Sequence, residues 1–472
     1  MFLGIDIGTQ SLKAVIIDAG LVVRGEGTVP YQPSFPRPGW AEQDPRLWLD
    51  ALKPAIGRAL AVAGIAAAGI EAIGVAGQLD GCVPCDANGS ALGPAIIWMD
   101  RRASLQGIDA ALIRQRTGLV ADATHMAAKI KWFGNTAAVF HQPVSFMVET
   151  LTGARVMDHA LASTTMLYDL GARGWSDELL DAFGVDRHAL PAIGNATDIA
   201  GTLTSAGAEF TGLRAGTPVV VGTGDDFSNL IGCGITAPGT VGITLGTAES
   251  VGMVVSDIVI DPAALVETRA FPGGAYHLGN PGWLSGGAVR WFCSTFNIAS
   301  DAAFSALAAE APPGCDGLTF LPALSGAMAP VWNAGARGAF YGITAAHTTA
   351  HFARAVLEGT AFAMADVINR LAALTDVGAV RMMGGGAMSA VWTQIRADLL
   401  GRPIEVLMGS DASAMGAAIL ATGKISPPPL SLRRVEPNPA TQQALNEAYV
   451  RYRQLFAALE PMFTARPVRD DS

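Results

Sequence analysis

The chain opens, at residues 2–11, with the sequence Phe-Leu-Gly-Ile-Asp-Ile-Gly-Thr-Gln-Ser, which has a near copy in the second half. The pattern Gly4-Ile5-x-x-Gly8-Thr9 recurs as Gly242-Ile243-x-x-Gly246-Thr247. Each copy is a short apolar run that ends in a glycine–threonine turn and precedes a second apolar run, which predicts a β-hairpin. Backbone amides at such a turn can cradle a phosphate. The repeat predicts a duplicated domain with one phosphate-holding hairpin on each side of a cleft; the alternative is a chance recurrence in a chain with 55 glycines.

Length and composition are those of a compact protein with two domains. The chain has 472 residues, which exceeds one ordinary core. Half of the residues are hydrophobic and only 15% are charged, as expected for large buried sheets. The formal net charge of -10 argues against a nucleic-acid partner, because phosphate binding needs a basic face.

The amino terminus and the apolar stretches indicate neither export nor membrane insertion. The first residues lack a basic region and place Asp6 where a signal peptide would be apolar. The longest uncharged Ala/Gly-rich run, near residues 59–70, ends at Glu71 and is too short to span a bilayer. We therefore expect the protein to stay in the cytoplasm, without a membrane partner.

Five cysteines form an odd and sparse set that suits a reducing compartment. Cys82-Val-Pro-Cys85 has the spacing of a redox or zinc site, but no second CxxC or nearby His pair completes such a site. The sequence leaves the role of Cys82 and Cys85 open.

A further turn carries two adjacent carboxylates. The apolar run 218–221 is followed by Gly222-Thr-Gly-Asp225-Asp226, which predicts a buried strand with both acids at its end. Carboxylates at the mouth of a sheet are candidates for a catalytic base. An acid in this position is equally typical of a helix N-cap, so the residues alone leave both interpretations open.

The loop at residues 77–81 reads Gly-Gln-Leu-Asp-Gly after a predicted strand. Gln78 and Asp80 suit the recognition of hydroxyl groups, because both accept hydrogen bonds from several directions. The alternative is an ordinary Asx turn.

The stretch 95–102 is another strand end, with an aromatic and three charged residues. It finishes with Trp98, Asp100, Arg101 and Arg102. Either arginine can hold a substrate oxygen, or it can pair with Asp100 at the surface.

A glycine turn late in the chain predicts a nucleotide contact. The strand 380–383 ends in Gly384-Gly-Gly-Ala387, and Ser389 starts a helix. Such a turn lets an adenine or ribose lie flat against the backbone. It lacks the GxGxxG spacing of a dinucleotide fingerprint, and no GxxxxGK(S/T) phosphate loop occurs in the chain.

In their order and spacing, these segments resemble the FGGY carbohydrate kinases, and among them the xylulokinase-like members. Residues 6–11 resemble the family's first phosphate motif, and Leu245-Gly-Thr247 resembles its second. Residues 338–358 read Gly-x-Phe-x-Gly-Ile, seven residues, then His-Phe-x-x-Ala-Val-Leu-Glu, which closely resembles the longer family signature. Gly384-Gly-Gly-Ala387, followed by Trp392, resembles the adenosine motif. The match is spread over most of the chain.

The resemblance implies both a fold and an activity. The fold is the actin-like, ribonuclease-H-type ATPase fold, two duplicated α/β domains with a nucleotide in the central cleft. We expect residues 1–235 to form an N-terminal domain with the sugar site, the first hairpin and the catalytic acid. Residues 236–472 would form a C-terminal domain with the second hairpin and the adenosine site. The implied activity transfers the γ-phosphate of ATP to a hydroxyl of a D-xylulose-like pentulose or a related ketose or polyol.

The resemblance also implies roles for single residues. Asp225 matches the catalytic base, and Asp6 matches a carboxylate near a magnesium ion, acting through water. ATP and Mg²⁺ are therefore the implied cofactors. The implied sugar contacts are Gln78, Leu79, Asp80, Trp98, Arg101, Asp225 and Asp226. The implied phosphate and nucleotide contacts are Thr9, Gln10, Ser11, Lys13, Thr247, Gly286, Arg290, Gly385, Gly386 and Ser389.

Three departures from the family pattern bear on the acceptor. Asp80 stands where the xylulokinase-like members usually have a sugar-binding His. Gly326-Ala-Met-Ala-Pro330 lacks both charges of the usual Gly-Glu-Arg-x-Pro. Asp226 replaces a common Asn and adds a second carboxylate beside the sugar. Together they indicate a polyol or ketose with a different hydroxyl arrangement, or a relative acting on another sugar.

Other functions remain open at this point. The acceptor alternatives are of the ribulose, erythritol or glycerol type. A catalytically weak or regulatory ATP-binding protein on the same fold, analogous to actin or the heat-shock chaperones, is a second class. A hydrolase that splits ATP or polyphosphate with water is a third. Asp225 together with the loop 78–81 favours the kinase, and a homodimeric assembly is left open.

Overall fold

The computed structural model describes residues 1–134, 136–409 and 411–463, and the first half of the chain is built on one mixed sheet. The strands of the first half, in this sheet and in four small two-stranded sheets, are β1 (Phe2–Ile7), β2 (Ser11–Ile17), β3 (Val23–Pro30), β4 (Glu42–Gln43), β5 (Ala72–Gly77), β6 (Val83–Cys85), β7 (Ala95–Ile96), β8 (Val139–His141), β9 (Val156–Asp158), β10 (Tyr168–Asp169), β11 (Gly174–Trp175), β12 (Ala192–Gly194), β13 (Ile199–Thr202), β14 (Pro218–Val220) and β15 (Thr223–Gly224). The main sheet has the order β13-β14-β5-β1-β2-β3, and β15 also pairs with β5. β1 is antiparallel to β2 and parallel to β5.

The second half repeats this arrangement. Its strands are β16 (Thr240–Leu245), β17 (Ala248–Val255), β18 (Glu267–Ala270), β19 (Tyr276–Leu284), β20 (Thr319–Leu321), β21 (Ala339–Tyr341), β22 (Ala379–Met383), β23 (Ile404–Met408) and β24 (Ser431–Val435). The sheet order is β18-β19-β17-β16-β22-β23-β24. β16 is antiparallel to β17 and parallel to β22, as β1 is to β2 and β5. The two hairpins and the duplication predicted from the repeat are therefore confirmed.

Helices cover the two sheets and connect their strands. They are α1 (Pro45–Ala63), α2 (Ala110–Thr117), α3 (Met126–Phe133), α4 (Pro143–Thr152), α5 (His159–Ser163), α6 (Asp177–Phe183), α7 (Ser205–Thr211), α8 (Asp225–Gly232), α9 (Gly286–Thr295), α10 (Asp301–Glu310), α11 (Thr349–Leu374), α12 (Ala390–Leu400), α13 (Ala412–Ala421) and α14 (Pro439–Leu459). Local sequence sets their ends. α1 begins after Asp44, whose carboxylate accepts the N–H of Arg46 at 2.9 Å, and ends at Gly64 in the left-handed conformation.

Helix α13 belongs to the second half of the chain but packs on the first sheet. A Cβ atom on Gly4 would lie 2.0 Å from the carbonyl oxygen of Ala414, and one on Gly74 would lie 1.9 Å from that of Ala417. The helix can come this close only because both strand positions lack a side chain. α13 thereby reaches the first phosphate hairpin.

Each sheet has its own hydrophobic core. The first surrounds β1, β2 and β5 with α1, α4, α8 and α13, and the second surrounds β16 and β17 with α9, α11, α12 and α14. The cleft between the cores is therefore where polar groups of both halves can meet. Within the described ranges, none of the helices has the length and apolar character of a membrane span.

Candidate active site

The first phosphate hairpin turns at residues 8–10, between β1 and β2. The N–H of Gly8 donates to the carbonyl of Ser11 at 3.0 Å. Two side chains from elsewhere in the first half hold the same turn: Gln43 Nε2 donates to the carbonyl of Thr9 at 2.6 Å, and Trp98 Nε1 donates to Thr9 Oγ1 at 3.0 Å. Contacts within the protein therefore fix the turn, as a preformed phosphate cradle requires.

The second phosphate hairpin turns at Gly246 and Thr247, between β16 and β17. Two residues predicted to contact the nucleotide lie directly behind it. The N–H of Gly286 donates to the carbonyl of Gly246 at 3.2 Å, and Arg290 Nη2 donates to Thr247 Oγ1 at 2.5 Å. A Cβ on Gly286 would lie 2.3 Å from the Gly246 carbonyl oxygen, so glycine lets α9 start against the hairpin.

A cavity of about 400 Å³ lies between the two hairpins. Its walls include predicted phosphate contacts and predicted sugar contacts from distant parts of the chain. These residues are Thr9, Gln10, Ser11, Lys13, Gln78, Leu79, Asp80, Trp98, Asp225, Asp226 and Thr247. The geometry can therefore place an acceptor and a phosphate chain in one cleft.

Asp225 is the first residue of α8 and follows the short strand β15 directly. The turn before it needs Gly222, whose φ of 74° lies in the left-handed region. Asp225 Oδ1 accepts the N–H of Asp226 at 3.0 Å. Burial, followed by the carboxylates of Asp226 and Asp6, raises the pKa of Asp225 well above its ordinary value. A raised pKa suits a carboxylate that must take a proton near neutral pH.

Asp6, the residue predicted to stand near a magnesium ion, lies buried at the end of β1. Its Oδ1 accepts a hydrogen bond from Ser413 Oγ of α13 at 2.9 Å. Burial and the carboxylate of Asp411 raise the pKa of Asp6 to about 7, although Lys13 opposes the shift. Lys13 also forms an ion pair with Asp411. A carboxylate whose pKa is raised by a neighbouring carboxylate is suited to a nearby cation.

The residues around Asp6 fit a partly hydrated magnesium ion better than a metal held entirely by protein ligands. In residues 1–134, 136–409 and 411–463, no group of three or more His, Cys, Asp or Glu side chains could hold a metal ion together. Mg²⁺ usually keeps several waters and binds through one or two carboxylates and substrate phosphates. Asp6 at the mouth of the phosphate hairpin is compatible with that mode.

Cys82 and Cys85 are both buried free thiols. Burial is the main cause that raises the pKa of each thiol above its ordinary value. A thiol with a raised pKa is a poor nucleophile and a poor metal ligand. The environment of Cys82 and Cys85 therefore does not favour a redox or zinc site, despite their spacing.

The residues of the loop after β5 that are predicted to contact the sugar line the cavity, and we call this part of its wall the acceptor side. Asp80 has a φ of 57°, a left-handed conformation that Asp tolerates better than most residues. Its N–H donates to Gln142 Oε1 at 2.9 Å, and its carbonyl accepts from Lys129 Nζ. The loop is thus a fixed turn, and the same turn lines the cavity.

Arg101 and Arg102, each of which could hold a substrate oxygen or pair with Asp100, have different surroundings in the structure. Arg102 is buried and pairs with Asp100 (Nη2–Oδ2 2.7 Å) and Glu42 (Nη1–Oε1 2.8 Å). Arg101 lies at an adjoining cavity of about 200 Å³, with Nη1 3.4 Å from Asp122 Oδ1. Arg102 therefore fastens its loop, and Arg101 lies beside the cleft.

The predicted adenosine contacts lie at the turn after β22. A Cβ on Gly385 would meet no atom within 4 Å, whereas one on Gly386 would lie 2.6 Å from Leu245. Ser389 caps α12, and its Oγ lies 3.2 Å from Ser305 Oγ. Gly385, Gly386 and Ser389 are not among the walls of the 400 Å³ cavity. They follow β22, which pairs with β16.

Three charged residues of the acceptor side were not singled out from the sequence. His125 Nδ1 lies 3.1 Å from Asp80 Oδ1, and Arg269 Nη1 lies 3.3 Å from Asp226 Oδ2. Glu267 and Arg269 lie on β18, so the second sheet also contributes to the acceptor side. Their Glu-x-Arg spacing places both on one face of a strand and could have suggested a joint role. His125 is part of no motif.

Comparison with known proteins identifies the family. The N-terminal domain of the FGGY family of carbohydrate kinases matches residues 1–232, and the C-terminal domain of that family matches residues 241–423. The chain therefore belongs to the FGGY family of carbohydrate kinases, and the resemblance noted in its sequence is confirmed. With the duplicated sheets described above, its fold is the two-domain, actin-like ATPase fold.

Similar proteins differ in their acceptors. A glycerol kinase of Thermococcus onnurineus (strain NA1) is 32% identical over 438 residues, covering 89% of this chain and 88% of that protein. A xylulose kinase of Escherichia coli (strain K12) is 30% identical over 478 residues, covering 98% and 96%. The crystal structure of a gluconate kinase from Lactobacillus acidophilus matches with a TM-score of 0.88 and 25% identity over 98% of each chain. Similarity thus supports an ATP-dependent carbohydrate kinase and does not choose the acceptor.

Proposed function

We propose that the protein transfers the γ-phosphoryl group of ATP to a hydroxyl of a D-xylulose-like pentulose, or of a related ketose or polyol. Asp225 is the general base of this reaction. The observation that carries the proposal is the position of Asp225, which shares one cavity with both phosphate hairpins and with the loop 78–81. Its raised pKa supports the same role.

The reaction follows from this arrangement. The acceptor hydroxyl lies against Asp225, held by Gln78, Asp80 and Asp226. Asp225 takes the hydroxyl proton while the oxygen forms a bond to the γ-phosphorus, and the bond from that phosphorus to the oxygen of ADP breaks. Most of the acceleration comes from positioning and from neutralising charge, which is why two fixed hairpins matter.

The phosphate side is supplied by both halves of the chain. Turn amides of the two hairpins, with Lys13, hold the phosphates of ATP. A magnesium ion held through water by Asp6 would neutralise charge on the β- and γ-phosphates. Gly286 and Arg290 support the second hairpin, and Gly385, Gly386 and Ser389 receive the adenosine. We further propose domains at 1–235 and 236–472 and a cytoplasmic location.

The test is acceptor-dependent release of ADP. The purified protein is given ATP and Mg²⁺ with a panel of pentuloses, tetritols and hexuloses, and the phosphorylated product is quantified beside ADP. The proposal expects one phosphomonoester per ADP with at least one acceptor. Equal ADP release without any acceptor would indicate a hydrolase, and ATP binding without turnover on any acceptor would indicate a non-catalytic relative; either result contradicts the proposal.

A further inference from the structure

Five charged side chains alternate in sign along the acceptor side of the cleft. His125 Nδ1 lies 3.1 Å from Asp80 Oδ1, and its Nε2 lies 3.7 Å from Glu267 Oε1. Arg269 Nη2 lies 2.6 Å from Glu267 Oε2, and its Nη1 lies 3.3 Å from Asp226 Oδ2. The order is therefore acid, base, acid, base, acid. We call these five residues the charge chain; its two acidic ends, Asp80 and Asp226, line the cavity.

The central members of the charge chain stay ionised across neutral pH. Burial opposes the charge on His125, but Asp80 and Glu267 outweigh it and raise the pKa of His125 to about 10. Burial likewise opposes the charge on Glu267, but Arg269 and His125 lower its pKa to about 2. His125 and Arg269 therefore pair with carboxylates of the charge chain. Burial raises the pKa of Asp226 above its ordinary value, and Arg269 opposes that shift.

A neighbouring amide adds a further hydrogen-bond acceptor. Gln43 has a fixed orientation, because its Nε2 donates to the carbonyl of Thr9 at 2.6 Å and its Oε1 accepts from Trp48 Nε1 at 3.2 Å. Gln78 must then donate its Nε2 to Gln43 Oε1, at 2.7 Å. Gln78 Oε1 is left buried and without a hydrogen-bond partner among the described residues. A buried acceptor of this kind requires a donor from a ligand or water.

The acceptor side is therefore rich in hydrogen-bond acceptors. Asp80, Asp226 and Gln78 accept, and Asp225 awaits the proton of the attacking hydroxyl. On the donor side, Arg269 Nε has no partner in the part of the chain that the structure describes. A hydroxyl group can donate to a carboxylate and accept from Arg269 at once, whereas a carbonyl oxygen only accepts. A carboxylate on the ligand would be repelled by three aspartates.

We propose that Arg269 determines acceptor specificity and that the preferred acceptor is an alditol, a neutral polyol without a carbonyl or carboxylate. Asp80 and Asp226, the two acidic ends of the charge chain, each accept a hydrogen bond from a different hydroxyl of the alditol. This inference rests on the proposed kinase function and names its substrate class. Each carbonyl in place of a hydroxyl leaves a charged acceptor without a donor, which corresponds to about a tenfold or greater loss in kcat/KM.

The test compares acceptors of equal carbon number. Rates of ADP release give kcat/KM for xylitol against D-xylulose, ribitol against D-ribulose, and D-glucitol against D-gluconate. We expect at least one alditol to exceed its oxidised counterpart about tenfold or more. A ketose or gluconate that matches or exceeds every alditol would overturn the inference and leave the kinase function intact. Absence of turnover with every acceptor would instead overturn the kinase function, and this inference with it.

Variants of Arg269 separate a specificity role from a structural one. Arg269→Gln should reduce the alditol-to-ketose ratio of kcat/KM toward one, and Arg269→Lys, which keeps the charge, should retain most of it. A merely structural residue would lower kcat/KM for all acceptors by the same factor, which would overturn the assignment. If Arg269→Gln does not fold, Gln78→Leu is the second variant. Loss of the buried acceptor Gln78 Oε1 should also reduce the alditol-to-ketose ratio of kcat/KM. An unchanged ratio would contradict the inference.

Discussion

Arg269 and Asp226 meet across the boundary between the two sheets, with Nη1 3.3 Å from Oδ2. Asp226 lies in the first turn of α8, after the first sheet, and Arg269 lies on β18, the edge strand of the second. The same strand is held to the first half by the N–H of Ala270, which donates to Ser163 Oγ at 2.9 Å. The contact between the two halves therefore also holds Arg269 beside Asp226 in the cavity wall, and separation of the halves would move Arg269 away from that wall.

The pH dependence of the reaction should report the environment of Asp225. Burial and the neighbouring carboxylates raise its pKa, and the base must be deprotonated to act, so kcat/KM should fall as pH drops through a value above the ordinary range of Asp. Asp226→Asn removes the nearest like charge and should move this acid limb to lower pH. The measurement is a profile of kcat/KM against pH at constant ionic strength.

Asp301→Asn is the control for that profile, because Asp301 is an exposed aspartate in the first turn of α10. It should keep the acid limb of the unmodified protein. An acid limb of Asp226→Asn that stays in place, or moves to higher pH, would show that Asp225 does not govern it.

The close approach of α13 to the first sheet should make Gly4 intolerant of a side chain. Gly4→Ala would place a methyl group 2.0 Å from the carbonyl oxygen of Ala414, and overpacking of this kind typically costs about 1–3 kcal/mol. Gly57→Ala is the matched control, since Gly57 is exposed within α1 and a Cβ there meets no atom within 4 Å. The control should be neutral or stabilising by up to about 1 kcal/mol. Thermal unfolding measures both, and equal effects would refute the packing argument.

A fully buried ion pair fixes the second phosphate hairpin to α12. Glu249 and Arg396 are both 0% exposed, with Nη2 2.7 Å from Oε2. Arg396→Met leaves the charge of Glu249 buried and unpaired, which should cost about 3–5 kcal/mol. The double variant Glu249→Gln with Arg396→Met removes that charge and should recover part of the loss. Denaturant titration gives the free energies of unfolding, and a double variant no more stable than the single one would contradict this reasoning.

The fold was predictable because its signals are local and repeated. An apolar run, a Gly-Thr turn and a second apolar run specify a hairpin, and the recurrence of Gly4-Ile5 at Gly242-Ile243 specifies two of them. The reason for Gly4 was not predictable. It lies in the contact with Ala414, and a sequence does not show which helix returns to a sheet from the other half of the chain.

The candidate site was predictable where a family motif covers it and not elsewhere. Asp225 stands in such a motif. His125 and Arg269 do not, and their partners Asp80 and Asp226 lie 45 and 43 residues away in the chain. A sequence gives the charge of each residue but not which opposite charges come into contact in the folded protein. Asp80 is an example, because His125 lies beside it, with Nδ1 3.1 Å from Oδ1, and no sequence pattern indicates that contact.

The most direct test of the account is the turnover number of Asp225→Asn with ATP and the best acceptor, set against Asp301→Asn. The account predicts that Asp225→Asn lowers kcat by about 10² or more, the scale of general-base catalysis, with little change in ATP affinity. Asp301→Asn should keep the unmodified rate. An Asp225→Asn protein with near-normal acceptor-dependent turnover would contradict the central claim that Asp225 takes the proton of the acceptor hydroxyl.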